Sequence, residues 1–76
     1  DNNVINLNIV GNFNIIKIKK GKIKRLFVKG YGNRIIIDKG VLVEEMVLEG
    51  NSITVEKPLT LNCKITKKGL VTIINN

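Results

Sequence analysis

The strongest constraint in this chain is a six-residue beat of branched aliphatic residues. Counted back from the C-terminus, Val71, Ile65, Leu59, Ile53, Val47, Val41 and Ile35 each open a block of six. The third residue of the block is aliphatic at Ile37, Val43, Val55, Leu61 and Ile73. It is charged at Glu49 and Lys67, which lie three blocks apart. Three hexads therefore group into one larger repeat unit. The Gly-Asn pairs carry nearly the same period. Gly50-Asn51 follows Gly32-Asn33 by three hexads, and that pair follows Gly11-Asn12 by three and a half. A degenerate fourth copy spans Ile65 to Ile73, with Lys68-Gly69 in place of Gly-Asn.

Within each unit, apolar and polar residues alternate over short runs, which sets one face inward and one outward. Units of this length cannot bury an apolar face alone and must stack on one another. The expected fold is all-β: a single-domain parallel β-solenoid, or β-helix, over residues 1–76, with about four roughly triangular turns of 18–21 residues. The pattern does not determine its handedness. Corners are expected near Gly21, Gly40, Pro58 and the Gly-Asn sites, because Gly and Asn tolerate positive φ. Asn12, Asn33 and Asn51 are expected to align as an amide ladder beside Gly11, Gly32 and Gly50. The expected inward residues are Ile35, Ile37, Val41, Val43, Val47, Ile53, Val55, Leu59, Leu61, Ile65, Val71 and Ile73. Cys63 is expected beside Met46 as a small core residue. An antiparallel barrel or sandwich is the competing fold, but it leaves the hexads unexplained and would favour Asn-Gly hairpin turns, which are absent.

Composition agrees. The chain has thirteen Ile, eight Val and seven Leu but no Ala and no Gln, so strong helix formers are scarce. Without His, neither a Ser-His-Asp triad nor a His-ligated zinc site can be built. A lone Cys63 leaves no internal disulfide. No cofactor and no catalytic residue is expected, and no apolar run is long enough to span a bilayer. Thr54, Thr60, Thr66 and Thr72 fall six apart, one per face, and so make no flat threonine array.

Charge supplies an independent register. When one turn is offset by two residues for the Tyr31-Gly32 insertion, Lys24 falls beside Glu44, Arg25 beside Glu45 and Lys29 beside Glu49. Opposite charges on adjacent strands favour this pairing, and a slip would break it.

The stretch Lys22–Lys57, through Gly30, Asn33, Gly50 and Asn51, resembles a family of small repeat domains of unknown function, many of them secreted. The resemblance implies an extracellular or cell-surface location. The triangular three-hexad period is similar to that of bactofilins, cytoskeletal β-helices that polymerise end to end without nucleotide. It implies self-assembly and supplies no catalytic residues. The hexads are also similar to those of hexapeptide acyltransferases, whose catalytic His has no counterpart here.

Two sets of residues are candidates for function. The first is the pair of open edges: Val4, Ile5, Leu7 and Ile9 at one end, and Leu70, Val71, Ile73 and Ile74 at the other. Asn75-Asn76 would run into Asn2-Asn3 in head-to-tail stacking, giving a homo-oligomer or filament. The second is a basic run of Lys17, Lys19, Lys20, Lys22, Lys24, Arg25, Lys29 and Arg34, without an acid among them. It would suit an anionic polymer such as nucleic acid or an acidic polysaccharide. The chain carries a formal charge of +7. A third possibility is a stalk or spike segment of a longer surface or virion protein.

Overall fold

The computed structural model describes residues 4–76, and of Val4 the backbone only. The expected tail-to-head match at Asn2-Asn3 lies outside the described residues. The chain forms β1 (Val4–Asn12), β2 (Ile15–Tyr31), β3 (Arg34–Lys57) and β4 (Lys64–Asn75). All paired strands are parallel, in the order β1-β2-β3-β4. The fold is a parallel β-solenoid of about four turns. The last part of β3 stacks on its own start, where the Thr54 amide donates to the Asn33 carbonyl at 2.9 Å.

The turns are not all of one length, and the chain absorbs the difference at bulges. β1 meets β2 at an offset that changes between Ile5 and Asn6. β2 meets β3 with a shift between Ile18 and Lys20, and β3 meets β4 with one between Gly50 and Ile53. Inward residues stack in columns that run along the solenoid. Leu7, Leu26, Met46 and Ile65 form one, and Ile9, Val28, Leu48 and Lys67 another. The core cluster includes Ile23, Leu26, Val28, Ile35, Ile37, Met46, Leu48, Ile53 and Val55. The middle turns supply most of it because only they have a layer above and a layer below.

The corner column is Gly11, Gly30, Gly50 and Gly69. Successive turns approach so closely here that a Cβ on Gly30 would lie 1.8 Å from the Gly11 carbonyl oxygen. A Cβ on Gly50 would lie 1.8 Å from the Gly30 oxygen, and one on Gly69 1.9 Å from the Gly50 oxygen. Glycine is a steric requirement at these positions, beyond its tolerance of positive φ.

This column corrects the Gly-Asn alignment. The partner of Gly11-Asn12 is Gly30-Tyr31, and Gly32-Asn33 comes just after it. The Asn12–Asn33–Asn51 ladder is therefore not formed, since Tyr31 pairs with both Asn12 and Asn51. Gly32 instead shares the left-handed region, at φ 66°, with Phe13 and Ser52 at 56° and 58°.

Three more expectations shift. Leu59 is exposed, because Pro58 closes β3 and the turn back to it, Leu61 amide to Pro58 carbonyl at 3.0 Å, sends Leu61 inward. Met46 pairs with Ile65, so Cys63 lies ahead of that column, half-buried against the core. Val47 is buried but lies between Phe27 and Thr66, outside the core cluster. The hexad beat slips by one position there because Met46 takes the inward place. Gly21 pairs with Val41, and Gly40 with Lys20.

Candidate assembly edges and basic surface

The corner between the first two turns is held by one buried amide. Asn33 follows the left-handed Gly32 and sits in an inward position, 1% exposed. Its Nδ2 donates to the Gly11 carbonyl at 2.7 Å, and its Oδ1 accepts from the Asn14 amide at 3.0 Å. These bonds satisfy two backbone groups at the corner. Its role is thus a staple between turns, different from the ladder position expected for it.

Above this corner the surface is apolar. Phe13 packs edge-on against Tyr31, with ring centroids 6.3 Å apart. The Phe13 ring also covers Gly32, where a Cβ would meet its Cδ1 at 2.7 Å. Val10, Phe13 and Ile15 are 71–75% exposed, and Ile5 is half exposed. Only Ile5 among these is an expected edge residue. The others follow from the turn register, which the misplaced Gly-Asn alignment hides.

The two ends of the stack differ. At the N-terminal end, Leu7, Ile9, Ile16 and Ile18 are half-buried in columns whose next members, Leu26, Val28, Ile35 and Ile37, are 0–3% exposed. At the C-terminal end, Ile65, Val71 and Ile73 are similarly half-buried. That end also carries polar residues in inward register. Lys67 pairs with Leu48 and stays exposed, and Asn75 pairs with Lys57. Lys57 is itself buried, its Nζ donating to the Leu61 carbonyl at 2.8 Å. Leu70 and Ile74 are exposed, and Ile74 lies beside Glu56 outside the inward row. Burial pushes the Cys63 thiol above its ordinary pKa, opposed by the nearby Lys57 charge.

The eight candidate basic residues are all exposed, but they do not stack on one another. Lys17 pairs with Ile36, Lys20 with Gly40, and Lys22 with Val4 and Leu42. Arg25 pairs with Asn6 and Glu45, Lys29 with Val10 and Glu49, and Arg34 with Ile15. The expected charge register is present at Arg25–Glu45 and Lys29–Glu49, and Lys29 Nζ lies 3.4 Å from a Glu49 carboxylate oxygen. Lys68 approaches the other oxygen at 4.0 Å, so Glu49 sits between two cations on adjacent turns. Arg34 forms a further ion pair with Glu56. Lys17, Lys19 and Lys39 share the rim of an open groove of about 650 Å³ with Asp38, Pro58 and Asn76. Charge is therefore graded along the stack. Residues 4–33 hold seven basic residues and no acid, whereas Asp38, Glu44, Glu45, Glu49 and Glu56 all lie in residues 34–57.

Among the described residues, no three His, Cys, Asp or Glu side chains gather to hold a metal ion, and no helix is long and apolar enough to cross a membrane. Comparison with protein-family models, curated proteins and solved structures finds no match for this chain.

Proposed function

We propose that this chain is a structural β-solenoid subunit that assembles through its end turns. The observation that carries this reading is the pair of half-buried aliphatic rows, Leu7, Ile9, Ile16 and Ile18 at one end and Ile65, Val71 and Ile73 at the other. Each row continues a core column and, among the described residues, has no layer beyond it. Covering such a row removes apolar surface from water and pairs a free strand edge. Repeated at both ends it yields a filament, and at one end alone a closed dimer. The similarity of the period to that of polymer-forming β-helices fits this reading, which would place the protein on a cell surface or in an extracellular fibre.

Sedimentation velocity of the purified chain over a wide concentration range tests it. Species larger than the monomer are expected to grow with concentration. A monomer at every concentration, at neutral pH and moderate salt, overturns the proposal.

A second reading, a polyanion-binding module, draws on the groove that Lys17, Lys19 and Lys39 share. Its binding should weaken steeply with salt, as counterions are released from each neutralised phosphate. The dispersal of the other cations, three of them beside glutamates, favours the structural reading.

A further inference from the structure

We infer that the first junction of this assembly is N-end to N-end: two copies of the chain joined through β1 by a two-fold axis. The inference rests on the assembly reading above and names its partner and geometry. Among the described residues, β1 is the outer strand at one end of the sheet, bonded to β2. Its nine residues include no charge and no proline, two of the devices that protect a sheet edge. Its turn exposes Val10, Phe13 and Ile15 around the half-buried Leu7 and Ile9.

β4 is the opposite case. It carries Lys64, Lys67 and Lys68, and Lys67 holds the register of the core residue Leu48. A charged residue at an inward position of an edge strand is a barrier to further stacking. In a head-to-tail joint, the column of Ile9, Val28, Leu48 and Lys67 would continue into Ile9 of the next copy. Lys67 would then be shut into an apolar layer without a partner, which is strongly unfavourable. An N-to-N joint buries no charge at any inward position. It pairs like with like, as a two-fold contact requires, and sets the two β1 strands antiparallel.

Both copies bring the basic residues of their first turns towards this joint. Added salt should therefore strengthen the dimer by screening the repulsion, the reverse of its effect on polyanion binding.

The test is sedimentation velocity of the 76-residue chain and two variants, with circular dichroism to confirm that each folds. The parent chain is expected to move from monomer to dimer and stop there. Asn8→Lys, at an exposed position in the middle of β1, is expected to weaken the dimer at least ~10-fold by facing like charges across the joint. Lys67→Ile is expected to leave that dimer intact and add larger species through the unguarded C-terminal end. An open-ended series in the parent chain, or a dimer that Asn8→Lys leaves unchanged, overturns the N-to-N joint while keeping end assembly. A monomer throughout overturns both.

Discussion

The first and last turns are laid on the same columns, yet they present different surfaces. Leu7 and Ile65 occupy one column, and Ile16 and Ile18 at the first turn answer to Ile73 and Asn75 at the last. The first turn keeps its inward positions aliphatic and its β1 edge uncharged. The last interrupts the row with Lys67 and Asn75, and the turn before it buries Lys57 against the Leu61 carbonyl. The difference shows that an end of a solenoid is defined by what stands in the inward column. Hydrophobic content alone does not decide it, because both ends have half-buried aliphatics.

The largest expected effect comes from the glycine column, which separates the middle of the stack from its ends. Gly50→Ala would drive a methyl group into the Gly30 carbonyl and should abolish cooperative folding, seen as loss of the β signal in circular dichroism. Gly69→Ala meets a similar clash with the Gly50 carbonyl. Each turn contacts only its neighbours, so this change should loosen only the last turn. Hydrogen exchange would then rise over residues 64–75 and stay low at Ile35 and Val55. Equal damage from both substitutions would mean that the ends are not separable from the middle.

Next in size is the staple of the first turn. Asn33→Ala leaves the Asn14 amide and the Gly11 carbonyl without their partner. A buried unsatisfied group costs about 1–3 kcal/mol, and urea unfolding should report a loss of that order. Exchange should increase first at the N-terminal corner. A smaller effect is expected at Glu49, which lies between Lys29 and Lys68. The lysines are well exposed, so Glu49→Gln should cost less than ~1 kcal/mol, and the difference should fade as salt rises.

Cys63 reports on the last turn without disturbing it. Burial raises the thiol pKa, so the reactive thiolate is scarce near neutral pH. Labelling by a maleimide should be slow at pH 7 and should rise with a midpoint above the ordinary thiol value. Gly69→Ala should accelerate it by exposing the thiol. A normal thiol profile in the parent chain would show that the C-terminal turn is already open.

Much of this architecture was legible. Period-two alternation and the repeat sufficed for a parallel solenoid of about four turns, and the charge pairs placed Lys29 beside Glu49. Lys67 also stood out as a charged break in the hexad pattern, although its meaning as an inward charge needed the register. The Gly-Asn motif misleads because two kinds of glycine look alike in sequence. Gly30 is demanded by a carbonyl on the turn beneath it, and Gly32 by a left-handed backbone and the Phe13 ring. Nothing local distinguishes them, so the motif alone sets Asn33 in the wrong column. The basic run was equally legible as charge, but its members lie on a path that winds around the solenoid.

The amino-acid sequence by itself determined that this chain stacks as a parallel β-solenoid. Side-chain alternation and a three-hexad repeat are local properties, carried by each unit alone. Only the tertiary structure decided which residues share a column, because bulges between Ile5 and Asn6, Ile18 and Lys20, and Gly50 and Ile53 reset the register between turns. The register in turn put Asn33 inside, spread the lysines around the perimeter, and set Lys67 over a core column at one end of the stack.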